Sequence, residues 1–343
     1  MLESLLSNLI PGVVNGCVYA LIGVGFILIR KTSGAFNLAQ GQIVITGPYV
    51  LYFIVTALGF SLWGAVALTV CIGVVLGIII ERLLMRPLYG HDINAAILLT
   101  LAVAVLIETL LSLGWGSDFL VAPRMFPRGV AFTFGKSTLS YDQLAILLCT
   151  FSIFAAIGVF FGRSRLGIAM MAVSEDPVSA QSLGVKVSRL VAVSWAIACA
   201  LGFFAGILIT NISGISYTMA EIGIKAIAVA IIGGFESFGG LLLAGIIVGL
   251  GEALAVAYLD PFVPGGSLRE ILAYLIMLVV LASLAGHESK GYDSPCCPAA
   301  STTRRTRRSS CSCEHRHTRC SWSLVCFSYS PFHCSATSHS RTG

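Results

Sequence analysis

Residues 32–80 read TSGAFNLAQGQIVITGPYVLYFIVTALGFSLWGAVALTVCIGVVLGIII, a run of 49 positions without Asp, Glu, Lys or Arg. A helix needs about 20 apolar residues to cross the hydrocarbon core of a bilayer, so this run accommodates two spans with a turn near Gly59. Backbone groups in lipid must bond within their own segment, and helices are the spanning structure that this pattern allows. The run therefore predicts an integral membrane protein.

The rest of the chain has the same character. Hydrophobic residues make up 57% of the 343 positions and charged residues 11%, whereas a soluble domain is about 25% charged. Apolar runs predict spans at 5–29, 43–58, 62–80, 95–113, 144–161, 190–212, 224–256 (broken) and 270–286. We therefore predict an all-α integral membrane protein, a polytopic bundle of about eight transmembrane helices with one broken or re-entrant segment.

Basic residues in the loops predict the orientation. Alternating loops contain Arg30, Lys31, Arg82, Arg86, Arg163, Arg165, Lys186 and Arg189, and the opposite side has Arg124, Arg128 and Lys136. The positive-inside rule places the larger set in the cytoplasm and the N-terminus outside. Residues 5–29 are expected to remain as a helix, because a cleavable signal peptide has its basic residues before the apolar run and not after it.

The composition changes at His287, and we divide the chain into a membrane domain, 1–286, and a tail, 287–343, rich in Ser, Arg and Cys. Residues 1–286 contain equal numbers of basic and acidic side chains, so the net charge of +5 arises in the tail. Three interpretations stay open: a disordered tail, translation in a wrong reading frame, which we favour, and a metal site. Suitable ligands for the last are Cys311, Cys313, His315, His317 and Cys320, but their spacing matches no paired C-x-x-C pattern.

Small residues recur four positions apart within the predicted spans. The pairs are Gly12/Gly16, Gly73/Gly77, Gly202/Gly206 and Gly245/Gly249. This spacing lets helix backbones approach closely in lipid, and it predicts packing rather than a functional site. The four cysteines of the membrane domain, at 17, 71, 149 and 199, lie in apolar spans and are expected to act as small hydrophobic residues.

Several classes of enzyme are excluded by the motifs that the sequence lacks. It has no G-x-x-x-x-G-K-[ST] loop for ATP phosphates, no H-E-x-x-H zinc motif and no G-x-S-x-G elbow. An enzyme embedded in the membrane would need a group of acidic, basic or metal-binding side chains within its membrane-spanning segments, and the sequence contains no such group.

One predicted cytoplasmic loop has strong local signals for a short helix. Residues 174–184 read SEDPVSAQSLG, in which Asp176 suits an N-cap and Pro177 the first helical position. Gly184 can take the left-handed conformation that ends a helix. The implied helix, 177–183, has about two turns and is not stable alone in water. Either the body of the protein or a partner protein must hold it.

This loop resembles the cytoplasmic coupling segment of ABC importer membrane subunits, E-A-A-x-x-x-G, and in particular that of the branched-chain amino acid (LivH-type) permeases. Ala180 and Gly184 keep the spacing, but the Glu is missing and Met171 stands where Arg is common. Two other stretches resemble the same family: FNLAQGQIVITG at 36–47 and AIIGGFESFGG at 230–240, followed by Gly249-x-Gly251-Glu252. The family usually continues with Arg-Pro-x-Gly-Leu after the last helix, and its absence after 284 fits a wrong-frame tail.

The resemblance implies that this chain couples ATP hydrolysis in other subunits to transport across the bacterial cytoplasmic (inner) membrane. Its implied partners are cytoplasmic ATPase subunits that bind ATP and Mg²⁺, a second membrane permease subunit and an extracytoplasmic solute-binding protein; no cofactor in this chain and no nucleic acid are implied. The implied coupling residues are Glu175, Asp176, Pro177, Ala180 and Gly184. Two other functions stay open, an importer of urea or short-chain amides and a stand-alone secondary transporter or channel.

Polar and glycine residues within the spans are candidates for the translocation pathway. They are Asn37, Gln40, Gln42, Glu108, Gly233 and Gly234. Polar side chains in a membrane point to the bundle interior, where they either contact the cargo or bond other helices. Lys225 and Glu236 flank the glycine-rich segment. Its glycine pairs, Gly233-Gly234 and Gly239-Gly240, could interrupt the helix so that the ends of the two half-helices line a cavity.

Overall fold

A computed structural model describes residues 2–88, 93–116, 118–126, 129–134, 137–235, 237–258, 274–279 and 282. The α-helices within these ranges are α1 Leu2–Ser33, α2 Gln40–Thr56, α3 Leu62–Ile79, α4 Ile93–Trp115, α5 Tyr141–Arg163, α6 Arg165–Glu175, α7 Pro177–Ser182, α8 Val187–Ser213, α9 Glu221–Gly233 and α10 Phe238–Tyr258. Three shorter helical segments are a π-helix, Ile80–Met85, and two 3₁₀ turns, Arg86–Leu88 and Tyr217–Ala220.

Six helices in the described part of the chain are long and apolar enough to cross a membrane. They are α1, α3 with its π-helical extension, α4, α5, α8 and α10. The predicted spans at 43–58 and 224–256 appear as α2, with 17 residues, and as the pair α9 and α10. The predicted helical membrane fold is confirmed. The 270–286 span lies mostly outside the described residues, and the 287–343 tail lies wholly outside them.

Helix α1 forms the centre of the bundle. It packs against α8, α9 and α10, and 89% of its membrane-spanning window is buried by other parts of the protein. Its buried side chains include Val18, Leu21, Ile22 and Leu28, which belong to the largest hydrophobic cluster. Because α1 is apolar on every face, burial inside a helical protein is the arrangement expected of it.

The paired glycines are the contact points between helices, as the sequence predicts. A Cβ atom added to Gly16 would overlap the carbonyl oxygen of Gly245, and one added to Gly249 would overlap the carbonyl of Gly12. In the same way, Gly77 lies against the carbonyl of Trp195 on α8. These helices therefore meet backbone to backbone, the arrangement that small residues allow in membranes.

The predicted break in the 224–256 segment lies between α9 and α10. Gly234 ends α9 with φ = 74°, in the left-handed region that favours glycine, and α10 begins at Phe238. A Cβ on Gly233 would meet the backbone of Leu241, so the turn is tightly closed. The other residue predicted to flank this segment, Glu236, lies outside the described residues.

A small β-hairpin is an addition to the predicted all-α fold. Strands β1 Val130–Phe134 and β2 Ser137–Ser140 pair antiparallel in the long loop before α5. Phenylalanine, valine and threonine favour this pleated conformation. Ser140 then caps α5: its hydroxyl accepts a hydrogen bond from the Gln143 N–H, and the Gln143 side chain accepts one from the Ser140 N–H. The hairpin thus leads directly into α5, the next membrane helix.

Candidate functional site: the coupling loop and the polar interior

The two-turn helix α7 is built by local capping. The carboxylate of Asp176 accepts hydrogen bonds from the N–H groups of Val178, at 2.9 Å, and Ser179, at 3.2 Å. The Ser179 hydroxyl donates to the same carboxylate, and Pro177 occupies the first turn. The predicted N-cap and start of the helix are therefore confirmed.

Hydrogen bonds to the carboxylate lower the pKa of Asp176 below its ordinary value of 3.8, with the Ser179 hydroxyl contributing most and the backbone N–H groups of Ser179 and Val178 following. A hydrogen-bonded carboxylate is stabilised in its charged form. The cap consequently stays ionised at every pH near neutrality.

The end of α7 is fixed by Gly184, at the predicted position. Its φ of 87° lies in the left-handed region, and its N–H donates to the Gln181 carbonyl at 2.9 Å. The Val185 N–H donates to the Ala180 carbonyl at 3.1 Å. This is the six-to-one bond of a Schellman-type ending, so both ends of α7 have defined hydrogen bonds.

Only one side chain of α7 is buried. Ala180 is 4% exposed and belongs to the central hydrophobic cluster, whereas Val178 is 75% exposed and Leu183, at the end of the helix, is 84% exposed. Two large apolar side chains thus point away from the body of this chain. A short helix that exposes such side chains is suited to contact with another protein.

Helix α6 supports α7 and was not predicted from the sequence. Ser164 caps it by accepting a hydrogen bond from the Gly167 N–H at 2.9 Å, and Met170 and Val173 are buried. The signal was present as a capping serine followed by apolar residues three apart. Glu175, one of the predicted coupling residues, is the exposed last residue of α6.

A cavity of about 490 Å³ lies beside α7. Pro177 and Gln181 line one wall, and the end of α1, including Arg30 and Lys31, lines another. Arg30 lies between the rings of Phe36 and Phe235, 4.5 and 4.3 Å from their centroids. The structure therefore brings α7, the end of α1 and the turn after α9 to one end of the bundle.

The amides near the start of α2 form a buried hydrogen-bonded chain. Asn37 Nδ2 donates to Gln40 Oε1 at 3.0 Å, and Gln40 Nε2 donates to the Ala198 carbonyl of α8 at 3.3 Å. Asn37 and Gln40 are 1% and 0% exposed, and Gln42 is half-buried. Gln40 thus makes the interhelical bond that the sequence left as one alternative, whereas Asn37 bonds locally to Gln40 and Ala39. The pathway role of Asn37, Gln40 and Gln42 stays a prediction.

The other pathway candidates lie apart from these amides. Glu108 is half-buried on α4, and no described residue forms a hydrogen bond or ion pair with it. Gly233 contacts the start of α10, and a Cβ on Gly234 would meet nothing within 4 Å. Gly233 and Gly234 do not line the cavity beside α7 or two further cavities in the described part of the protein, one between α2 and α8 and one between α3 and α8. Their roles in transport remain predictions.

A buried polar cluster that the sequence did not reveal joins three helices. Lys225 Nζ on α9 lies 3.0 Å from Glu252 Oε1 on α10, and the Tyr19 hydroxyl of α1 donates to Glu252 Oε2 at 2.8 Å. Lys225 flanks the glycine-rich segment in the sequence, and the structure shows that its side chain pairs with Glu252. Charged groups within a membrane domain are stabilised by such pairing.

Metal binding finds no support in the described residues, which contain no group of three or more His, Cys, Asp or Glu side chains close enough to hold an ion. The cysteines at 17 and 199 are fully buried in hydrophobic clusters or helices, as predicted for small hydrophobic residues. The tail ligands from Cys311 to Cys320 lie outside the described residues.

Comparison with known families matches residues 8–281 to the family described as "Branched-chain amino acid transport system / permease component". The match covers α1 from its second turn onward and all of α2 through α10. The chain belongs to this family.

Relatives of this permease have similar lengths and names. The high-affinity branched-chain amino acid transport system permease protein BraD of Pseudomonas aeruginosa is 28% identical over 295 residues, covering 80% of this chain and 92% of the relative. LivH of Escherichia coli K12 is 29% identical over 290 residues, again 80% and 92%. A probable LivH of Methanocaldococcus jannaschii is 26% identical, covering 76% and 85%.

Among solved structures, PsaBC from Streptococcus pneumoniae in complex with Fab is similar over 82% of this chain and 95% of that chain, with 15% identity and a TM-score of 0.46.

Family membership confirms the predicted resemblance to LivH-type ABC permeases, and with the six apolar helices it confirms a multi-pass protein of the cytoplasmic membrane. The family is a transport component, so the permease by itself is a transport subunit and not an enzyme.

Proposed function

We propose that this permease is one membrane-spanning subunit of an ABC importer for branched-chain amino acids. It forms half of a translocation pathway with a second permease subunit in the lipid bilayer. Cytoplasmic ATPase subunits bind ATP and Mg²⁺, and an extracytoplasmic solute-binding protein delivers the cargo. The chain itself uses no cofactor. The family match and the names of the relatives support this assignment.

The observation that carries the proposal is the form of α7. It is capped at both ends, held to the body through Ala180, and exposes Val178 and Leu183. A two-turn helix is marginal in water unless something holds it. The body of the permease holds one face, and the exposed apolar face is the part that an ATPase subunit covers.

The position of α7 explains how movement of the ATPase subunits reaches the membrane. Pro177 and Gln181 border the same cavity as the ends of α1 and α8, and α7 packs against α6, which in turn packs against α1. Because packed helices move as rigid bodies, a tilt of α7 displaces the cytoplasmic ends of α1 and α8. Opening and closing of the pathway at that end then follows the ATPase cycle.

Reconstitution tests the proposal. The permease is co-expressed with the ATPase, permease and binding-protein subunits encoded beside it, and the purified complex is placed in liposomes with ATP inside or absent. We expect leucine uptake that requires ATP and the binding protein, with urea and acetamide not transported. Full uptake by the permease without ATPase subunits would show a secondary transporter, and ATP-driven uptake of urea but not leucine would show the other importer class.

A further inference from the structure

A groove lies between α3 and α8. Its volume is about 610 Å³. The lining side chains are apolar along the groove and basic at one end. They are Val74, Ile78, Arg82, Arg86, Arg189, Ala192, Val193, Ala196, Ile197, Ala200 and Leu201.

The depth of the groove comes from alanines in α8. Ala192, Ala196 and Ala200 recur four positions apart, so they lie on one face of the helix. Their short side chains leave a channel beside Val74 and Ile78 of α3. A channel with these walls accommodates an apolar chain running along the helices.

The basic end lies where the apolar helices stop. Arg82 and Arg86 follow the end of α3 at Ile79, and Arg189 is in the first turn of α8. All three are exposed, and the lining residues include no carboxylate. The buried carboxylate of Glu81 lies 3.9 Å from the Arg86 guanidinium. Two guanidinium groups thus face the groove without an adjacent acid within ion-pair distance in the described residues.

Arginine binds phosphate through paired N–H donors, and a cluster of arginines forms a site for an anionic group. A small anion would bind the arginines but leave the apolar channel uncovered. An uncharged apolar chain would fill the channel but leave the arginines without an anionic partner. A molecule with both parts is an anionic phospholipid, and basic pockets between membrane helices on the cytoplasmic side bind such lipids.

We propose that this groove binds one anionic phospholipid. Its phosphate lies among Arg82, Arg86 and Arg189, and one acyl chain lies along Ala192, Ala196 and Ala200. The groove is separate from α7, which contributes no residue to its lining. Occupation of the groove joins α3 to α8 at the cytoplasmic boundary and fills the space between them.

Native mass spectrometry of the full-length permease tests this site. The protein is purified from membranes and exchanged into detergent with equal amounts of phosphatidylglycerol and phosphatidylcholine of the same chain length. We expect one phosphatidylglycerol retained in preference to phosphatidylcholine. Each basic group near a membrane surface contributes about fivefold to the binding of anionic lipid, so Arg82→Gln, Arg86→Gln and Arg189→Gln together should reduce retention roughly a hundredfold.

The matched control is the pair Arg163→Gln and Arg165→Gln, which removes two cytoplasmic arginines that do not line the groove. It should retain phosphatidylglycerol as the unmodified permease does. A second variant, Ala196→Phe with all arginines kept, fills the channel and should also lose the lipid. Circular dichroism and elution volume confirm that each variant is folded.

Three outcomes would overturn the proposal: equal retention of the two lipids, unchanged retention in the triple arginine variant, or full displacement by inorganic phosphate at millimolar concentration, which would show an anion site without the acyl contact. Crosslinking of the groove to the second permease subunit in the assembled complex would show that a protein and not a lipid covers it.

Discussion

Lys225 and Glu252 form an ion pair with 3.0 Å between Nζ and Oε1, although their side chains are only 10% and 2% exposed. Tyr19 donates a hydrogen bond to the second carboxylate oxygen, so the pair links α9 and α10 to the central helix α1. Glu252 belongs to a stretch, Gly249-x-Gly251-Glu252, that resembles the LivH-type permeases. The pair therefore joins α9 and α10 to the core at positions well away from the turn that connects the two helices.

Removal of one partner of this pair should destabilise the permease strongly. Lys225→Met or Glu252→Gln leaves the other group buried with its partner gone, which costs about 3–5 kcal/mol. The double variant should lose less than the sum of the two, because neither charge then remains unpaired. Thermal unfolding of the purified protein in detergent measures the effect. Glu108→Gln, at a half-buried site, is the control and should change stability by less than about 1 kcal/mol. Additive losses in the double variant would contradict the prediction.

The exposed apolar side chains of α7 should control association with the ATPase subunits. Burial of a leucine or valine side chain is worth about 1.5–3 kcal/mol, so Leu183→Ser or Val178→Ser should weaken association roughly tenfold to a hundredfold. Microscale thermophoresis with the purified ATPase subunit gives the affinity.

Val121→Ser is the matched control, because Val121 is 73% exposed in the loop after α4 and not part of α7. It should bind the ATPase subunit as the unmodified permease does. An equal loss for Val121→Ser and Leu183→Ser would mean that α7 is not the contact.

The Asp176 cap should make coupling insensitive to mild acid. Folding lowers the pKa of this carboxylate below its ordinary value of 3.8, so the ionised cap stabilises the folded state at every pH above that value. The stabilisation is lost only as the pH falls below 3.8 and the carboxylate is protonated. ATP hydrolysis stimulated by the permease should thus show no step from this group between about pH 8 and about pH 5. Asp176→Ala should uncouple hydrolysis from uptake, and Asp176→Asn, which keeps a capping oxygen, should uncouple it less. A coupling transition near pH 6 that disappears in Asp176→Asn would refute this assignment.

Glycine substitutions should have opposite effects at two helical positions. Gly16→Ala places a methyl group against the Gly245 carbonyl, and overpacking of this kind costs about 1–3 kcal/mol. Gly158→Ala in α5 meets nothing within 4 Å and should stabilise its helix by about 0.5–1 kcal/mol. The unfolding temperatures of both variants, measured in the same detergent, test this prediction. If Gly158→Ala lowered the unfolding temperature as much as Gly16→Ala, the contact between Gly16 and Gly245 could not be the cause.

The sequence predicts best what depends on neighbouring residues. Asp176, Pro177 and Gly184 set the ends of α7 through bonds that reach only a few positions along the chain, and the predicted end at 183 differs from the observed one by a single residue. The turn near Gly59 is likewise local, and the structure has φ = 67° there. Apolar runs predicted the positions of the long helices, because a helix that crosses the bilayer needs about 20 consecutive apolar residues.

Contacts between distant residues were not predictable in the same way. The spacing of Gly12 and Gly16 indicated a packing face, but it did not identify Gly245 and Gly249 as the partners. Lys225 pairs with Glu252 on another helix, and no pattern in the sequence indicated that partner. The exposure of Val178 and Leu183 also depends on how α6 and α7 lie on the body.

The central position of α1 has a consequence for biogenesis. Helix α1 is made long before α10, and it completes its contacts only when α10 is made, since Tyr19 and Glu252 are 233 residues apart in the chain. Until then the translocon or surrounding lipid must shield the polar ring of Tyr19 and the groove formed by Gly12 and Gly16. Synthesis that stops before α10 would leave α1 without its permanent neighbour, with its small-residue face uncovered.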